Sequence, residues 1–441
     1  MSRLPEGYRV VAVPETRQTE FLETDRLAFA FDSTPETDAI VPLTVPFDRT
    51  MGVEAPDGSL AAVHGSFPFT LPVPGGSVAC SGLTWVGVRP DQRRRGLLTA
   101  MIDSYFARSL DRGEPVSALF AAEHAIYGRF GYGSAADDLR VKLSRGAALR
   151  DVPGSADLTV RFTTLDAFAH RDVLDAVHRA AGAGRPGWIT RDTEVLRRRQ
   201  LVDPPAWRDG GEPLRLATVH DAAGEVRGYA TLRRKDVWTE GGPRYEVRVR
   251  EAVAVDAAAS HRLWSFLLDL DLTATVEGPM LPVDDALLHQ LVDPRGIVPK
   301  MVDNLWVRLL DVPAALTARR YAAPVDVVLD VLGAGALADN LRILADGGRL
   351  VVIGMQQGRR AELDLGLLLA RRASVIGTTL RSRPHAQKAA IVDGVARHVW
   401  PLLADGTVRP VVHARVPLAE AAEAHRMMER GEAFGKVLLV P

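Results

Sequence analysis

Residues Val86–Leu98 read V-G-V-R-P-D-Q-R-R-R-G-L-L and limit what the chain can fold into more than any other stretch. An apolar strand carrying Leu83, Trp85, Val86 and Val88 runs into a Pro90-Asp91 turn. Arg93, Arg94, Arg95 and Gly96 follow, and a helix is expected from Leu97. Strand, basic glycine-bearing loop and open helix N-terminus together make a pyrophosphate site: free N–H groups of the first turn point at the ligand and the helix dipole favours its charge. Gly96 lets the backbone approach closely, and the arginines add fork-shaped donors. No Gly-Lys-Ser/Thr follows, and one glycine stands where a dinucleotide loop needs three, so neither of those phosphate motifs applies.

A chain of 441 residues with 47% hydrophobic and 25% charged residues is expected to hold two or three globular domains. The net charge of −1 points away from nucleic acid as a partner, which makes the arginine triplet a local feature. Cys80 is the single cysteine, which excludes an internal disulfide and argues against a zinc cluster. No apolar run is long enough for a membrane span, and Met1–Glu15 carries charges where a signal peptide needs an apolar core, so a cytoplasmic enzyme is expected.

Apolar patterning predicts a helix near Phe21–Phe31, then strands at Asp48–Glu54, Leu60–Leu71 and Val78–Val88. The loop helix runs to about Leu110, followed by a strand at Ser117–Ala121. Residues Gly182–Pro213 read as a long irregular excursion. A hairpin follows, Arg227–Trp238 and Arg244–Val255 across Gly241-Gly242-Pro243, with a helix near Ser260–Leu270. This second strand–loop–helix has Asp256-Ala257-Ala258-Ala259-Ser260 as its loop, without glycine or arginine, and reads as a degenerate copy. Val325–Val331 and Arg349–Ile353 are continuous apolar runs, expected as buried parallel strands.

Three further stretches join the arginine loop: Ile126-Tyr127-Gly128-Arg129-Phe130-Gly131-Tyr132-Gly133, Leu263–Asp271 and Leu305–Val312. With them, residues 1 to about 321 resemble the enhanced intracellular survival (Eis) family of GCN5-related (GNAT) acetyltransferases. The resemblance implies an α+β fold of tandem GNAT domains, 1–151 and a degenerate 152–320, followed by a third segment at 321–441. It implies acetyl-CoA as cofactor, held by Val86, Gly87, Val88, Arg93, Arg94, Arg95, Gly96, Leu97, Leu98, Thr99, Ala122 and Glu123. It also implies Tyr127 as general acid, amines of small polycationic molecules such as aminoglycosides as substrates, and a hexamer. A phenol suits that role, being protonated at neutral pH. Tyr132 is the rival phenol and reads as packing; Glu23, Asp25, Asp32 and Glu36 are candidates for an acidic substrate pocket.

The family ends in a sterol-carrier-like domain whose C-terminal carboxylate serves as base, and here the chain departs. Val325–Pro441 resembles the C-terminal part of quinone oxidoreductases of the medium-chain dehydrogenase/reductase family, through Gly347–Gly354, Ile376–Arg383 and Phe434–Leu438. That implies a partial doubly wound α/β (Rossmann-like) segment, with the string Val325–Val331 serving either parent at the join, and an alternative reading as an NADPH-dependent quinone reductase. Gly333-Ala334-Gly335-Ala336-Leu337-Ala338 matches G-x-G-x-x-A, but the acidic residue expected ~20 positions on is missing. With Val440-Pro441 on an unrelated segment the base is open; His124 and Glu123 are the nearby alternatives, and a coenzyme A-binding protein impaired in catalysis is a third reading.

Overall fold

The computed structural model describes residues 4–31, 33–40, 44–297, 299–320, 324–430, 433 and 435–441, and omits the side chains of His124 and Pro279. Asp32, Tyr321 and Phe434, and the His124 side chain, therefore lie outside the described residues. The chain divides into two compact units, residues 1–321 and 322–441.

In chain order, the first half of unit one comprises β1 (Arg9–Ala12), α1 (Gln18–Phe29), α2 (Pro35–Ile40), β2 (Met51–Glu54), β3 (Leu60–Val73), β4 (Gly76–Val88), α3 (Leu97–Asp111), β5 (Val116–Leu119), α4 (His124–Tyr127) and β6 (Gly133–Ser144). Its second half comprises β7 (Thr159–Thr164), α5 (Arg171–Ala181), α6 (Glu194–Leu201), β8 (Arg215–His220), β9 (Val226–Lys235), β10 (Trp238–Thr239), β11 (Gly242–Pro243), β12 (Tyr245–Ala254), α7 (Ala257–Leu268), β13 (Thr273–Leu281), α8 (Leu287–Gln290), β14 (Lys300–Leu309) and α9 (Val312–Thr317).

Twelve strands form one sheet in the order β1-β2-β3-β4-β5-β14-β6-β13-β12-β9-β8-β7. The two halves exchange strands within it. β14, from the second half, lies between β5 and β6, with Trp306 opposite Leu119 and Leu309 opposite Val116. β6, from the first half, pairs with β13. Neither half therefore closes its sheet alone.

Adjacent residues of a strand face opposite sides, and the helices sort accordingly. Phe21 and Leu22 of α1 pack with Val13, Leu60 and Val63 on one face. Leu97 and Met101 of α3 pack with Val53, Ala61 and Ala62 on the other, where Val86 and Val88 join them. The β9–β12 hairpin forms as expected, and α7 buries Leu263, Trp264 and Leu267 against it. The excursion at 182–213 differs from expectation: it holds α6, whose start is capped by Thr193 Oγ1 accepting from Leu196 N–H. The helix sits there because the cap and the apolar pair Leu196 and Leu201 outweigh an otherwise arginine-rich sequence.

Unit two contains β15 (Val325–Asp330), α10 (Leu337–Ile343), β16 (Leu344–Val352), α11 (Leu365–Ala370), β17 (Ser374–Gly377), α12 (His385–His398), α13 (Trp400–Ala404), β18 (Val412–Pro417), α14 (Ala421–Glu429) and β19 (Lys436–Val440). β15, β16 and β17 pair in parallel, as do β18 and β19. The parallel pairing matches the sequence; the burial does not. Leu329 is 67% exposed and Val325 and Val327 are exposed too, because the unit's small core of Leu341, Leu344 and Leu350 covers only part of this sheet.

Candidate active site

β4 and β5 pair in parallel over three positions only, Cys80 with Val116, Ser81 with Ser117 and Gly82 with Ala118. Beyond Gly82 they no longer pair. Between β3 and β4 the register slips, so that Val63 faces Gly87 while Gly65 faces Thr84. Trp85 absorbs the slip with φ +55°, a bulge that bends β4 further from β5. The β4 edge over Thr84–Val88 thus keeps its main-chain groups on a side where no described strand pairs with it. An amide-bearing chain can lie in this wedge as an added strand. Val86 and Val88 are half-buried there and Gly87 is buried. A Cβ at Gly87 would stand 3.0 Å from Ala28 Cβ, so α1 passes close to the strand here.

At the mouth of the wedge the backbone turns left-handed at Arg94 (φ +62°) and again at Gly96 (φ +79°), the N-cap of α3. Ala100 N–H is the first to find a helical acceptor, Gly96 O, which leaves the N–H groups of Leu97, Leu98 and Thr99 at an open N-terminus. Alternating handedness in such a loop turns successive amides into one concavity, a nest for an anion. Arg93, Arg94 and Arg95 are all exposed. Arg95 Nη1 lies 3.2 Å from Tyr8 Oη and Arg93 Nη2 3.5 Å from Ala28 O. None of the three pairs with a carboxylate among the described residues. Other arginines of this half do find carboxylates, as in Arg17–Glu20 and Arg26–Asp38.

Past β5, Ala122 and Glu123 are exposed and α4 delivers Tyr127. Tyr127 is 9% exposed, in one apolar cluster with Leu83 of β4, Leu119 of β5 and, partly buried, Val86 and Leu98. It therefore belongs to the wall of the wedge. Burial first, and then the Glu123 carboxylate, push its phenol above the usual value, which keeps it protonated at neutral pH. No described residue hydrogen-bonds the Tyr127 hydroxyl. Tyr132 contrasts with it. Its ring meets Tyr127 edge-on at 5.9 Å, but its hydroxyl is occupied 2.6 Å from Ser117 Oγ, which in turn is 2.7 Å from Tyr105 Oη. Of the two phenols, only Tyr127 has its proton free to give.

Sequence reasoning missed two contributors from the second half. Trp306 of β14 packs in the Tyr127 cluster. Arg308 of β14 donates from Nη1 to Phe130 O at 2.6 Å, fixing the turn that follows Tyr127. Gly131 makes this possible: its φ is +79°, and a Cβ there would stand 1.8 Å from Arg308 Nη1. Both residues lie inside the Leu305–Val312 motif, so the signal was present as a motif and absent as a contact. The proposed acidic pocket is not assembled: Glu23 and Glu36 are exposed, whereas Asp25 is buried under β4.

In unit two the glycine motif serves its own chain. Asp330 accepts from the N–H groups of Leu332 and Gly333. A Cβ on Gly333 would strike Gly358 O at 2.7 Å, and one on Gly335 would strike the Gln357 side chain. The glycines here allow close packing of the turn against residues 355–358. No three His, Cys, Asp or Glu side chains converge as metal ligands among the described residues. No helix among them is long and apolar enough to cross a membrane.

Family models for acetyltransferase (GNAT) domains match residues 9–135 and 187–309, and one for zinc-binding dehydrogenases matches residues 309–439. An uncharacterized N-acetyltransferase of Streptomyces coelicolor is 40% identical over 292 residues, 64% of this chain and 69% of the relative. The N-acetyltransferase Eis of Mycobacterium tuberculosis is 34% identical over 315 residues, 70% of this chain and 72% of the relative. The crystal structure of Eis1 from Mycobacterium abscessus superposes with a TM-score of 0.59 at 29% identity, covering 73% of this chain and 79% of that one. A GCN5-related N-acetyltransferase from Anabaena variabilis shares the fold, with a TM-score of 0.62 at 17% identity. With its bulged, splayed strand pair, its arginine loop and these relatives, the chain belongs to the Eis family of N-acetyltransferases, acyltransferases that use acetyl-CoA, and carries a dehydrogenase-like segment at its C-terminus.

Proposed function

We propose that the chain acetylates primary amines of small polycationic molecules such as aminoglycosides, with Tyr127 as general acid. The observation that carries this reading is the run of three unpaired arginines on an open helix N-terminus, leading into a wedge whose wall holds a phenol with a free hydroxyl. In this reading the loop from Arg93 to Thr99 holds the coenzyme's pyrophosphate. Val86, Gly87 and Val88 pair with its pantetheine amides, and Ala122 and Glu123 border the acetyl end. The amine attacks the thioester carbonyl, the carbon–sulfur bond breaks, and the thiolate takes the Tyr127 proton.

The test is thiol release from acetyl-CoA with an aminoglycoside or a polyamine, alongside calorimetric binding of coenzyme A. Amine-dependent thiol release is expected. Binding without turnover would leave only a coenzyme A-binding protein. NADPH oxidation with a quinone, run in parallel, is expected to stay at background, since the amides of the glycine turn are taken by Asp330.

A further inference from the structure

The core-facing stripe of α1 runs through Phe21, Leu22, Thr24 and Asp25. An apolar residue belongs at the last of these positions, yet Asp25 occupies it at 3% exposure. Its Oδ1 is fully enclosed and has no hydrogen-bond partner among the described residues. A buried, unsatisfied polar atom is costly and calls for an explanation. The position indicates the work. Oδ1 points at β4 and lies 3.7 Å from where a Cβ of Gly87 would be. Gly87 is thus a β4 residue that faces the carboxylate and puts no side chain of its own before it.

We propose that Asp25 is the proton acceptor of the acetyl transfer, reached from the wedge past Gly87 by way of one water. The inference rests on the acetyl-transfer reading above. One proton of the attacking amine passes through the water to Asp25 Oδ1. The nitrogen lone pair forms the bond to the acetyl carbon, the carbon–sulfur bond breaks, and the thiolate takes the Tyr127 proton. Asp25 then releases its proton to solvent and Tyr127 regains one, which closes the cycle. Burial raises the Asp25 carboxyl to about 7, opposed only in part by Arg26. Arg93, whose guanidinium reaches Ala28 O one helical turn on, is the other cation beside this stretch of α1. A carboxyl held there is a stronger base than an exposed aspartate.

The test is the pH profile of kcat at saturating acetyl-CoA and amine for the wild-type protein and for Asp25→Asn. The wild type is expected to lose turnover as pH falls through about 7. Asp25→Asn is expected to lose about 10²–10³-fold in kcat, to lose that acid limb, and to bind acetyl-CoA within twofold of wild type. Wild-type kcat in the variant would overturn the role, and so would an unchanged limb. The wild-type profile judges the proposal even if the variant does not fold: a flat kcat across pH 6–8 would also overturn it. Absence of any amine-dependent turnover in the wild-type protein would instead overturn the acetyl-transfer reading itself, and the Asp25 role with it.

Discussion

The contact between Arg308 and the turn after Tyr127 can be tested by a double-mutant cycle. Gly131→Ala forces an L-residue to φ +79°, which costs about 1–2 kcal/mol. It also evicts Arg308 Nη1, which cannot sit 1.8 Å from a methyl carbon, so the 2.6 Å bond to Phe130 O is lost. A hydrogen bond from a charged donor contributes about 1.5–3 kcal/mol, so the single variant should be destabilised by about 3–4 kcal/mol. Arg308→Met loses the same bond but recovers some of the desolvation that lowers this guanidinium's pKa, for a net of about 1–2 kcal/mol. In the Arg308→Met background, Gly131→Ala should cost only the backbone strain. The two changes should therefore be less than additive by about 1.5–3 kcal/mol, the value of the bond that each of them removes. Chemical denaturation of the four proteins reads the stabilities, and kcat against acetyl-CoA Kd reads the site. Both single variants should lower kcat with Kd nearly constant, because the turn carries the acid and not the cofactor. Strict additivity would refute the eviction argument. Full kcat in Arg308→Met would refute the positioning role.

Tyr127→Phe keeps the apolar contacts but not the proton, so turnover should fall by about 10²–10⁴-fold while calorimetric acetyl-CoA affinity stays nearly constant. Arg94→Ala removes an unpaired cation from the loop; it should weaken acetyl-CoA by roughly ten- to a hundredfold, corresponding to about 1.5–3 kcal/mol, and flatten the salt dependence of binding. His64 is fully buried against Tyr105, and burial, opposed by a backbone interaction at Gly65 and aided by Arg108 and Arg112, lowers its pKa to about 4. Since the unfolded imidazole titrates near 6.5, its neutral form stabilises the fold above that pH. About 3 kcal/mol is lost as pH falls from 6.5 to 4. In thermal melts across that range, His64→Phe should show a shallower decline than the wild-type protein; an equal decline would remove His64 from the acid response.

Much of the site was legible because its parts are local in sequence. The arginine loop, the strand before it and the helix after it lie within Val86–Asp111, and turn chemistry with helix polarity suffices to read them. The left-handed turn at Arg94 was not legible, since nothing in an arginine announces positive φ; the helix starting just beyond imposes it. The bulge at Trp85 escaped for a related reason. It arises from a register slip against β3, and register is a property of two strands. Asp25 looked like one of several surface carboxylates near the first helix, and only its packing under Gly87 separates it from Glu23. In unit two the apolar run Val325–Val331 gave the parallel strand but not its burial, because burial depends on what the rest of the unit supplies to cover it.

The strand exchange also accounts for the persistence of a second GNAT half whose loop lacks every phosphate-binding group. Asp256 caps α7 by accepting from Ala259 N–H, so that helix start is closed by its own side chain where α3 is left open. Such a half could drift freely if it were an independent domain. It is not one, because β14 fills the gap between β5 and β6, and without it both strands would present unpaired edges beside the wedge. Trp306 packs against Tyr127 from this strand and Arg308 holds the turn that follows it. Arg308 stands opposite Ser117, whose hydroxyl occupies Tyr132 and so leaves Tyr127 as the phenol with a free proton. Selection on the first half's chemistry thus reaches the second half through one strand. The residues that carry this link are Trp306 and Arg308 of β14, rather than those around the closed loop at Asp256.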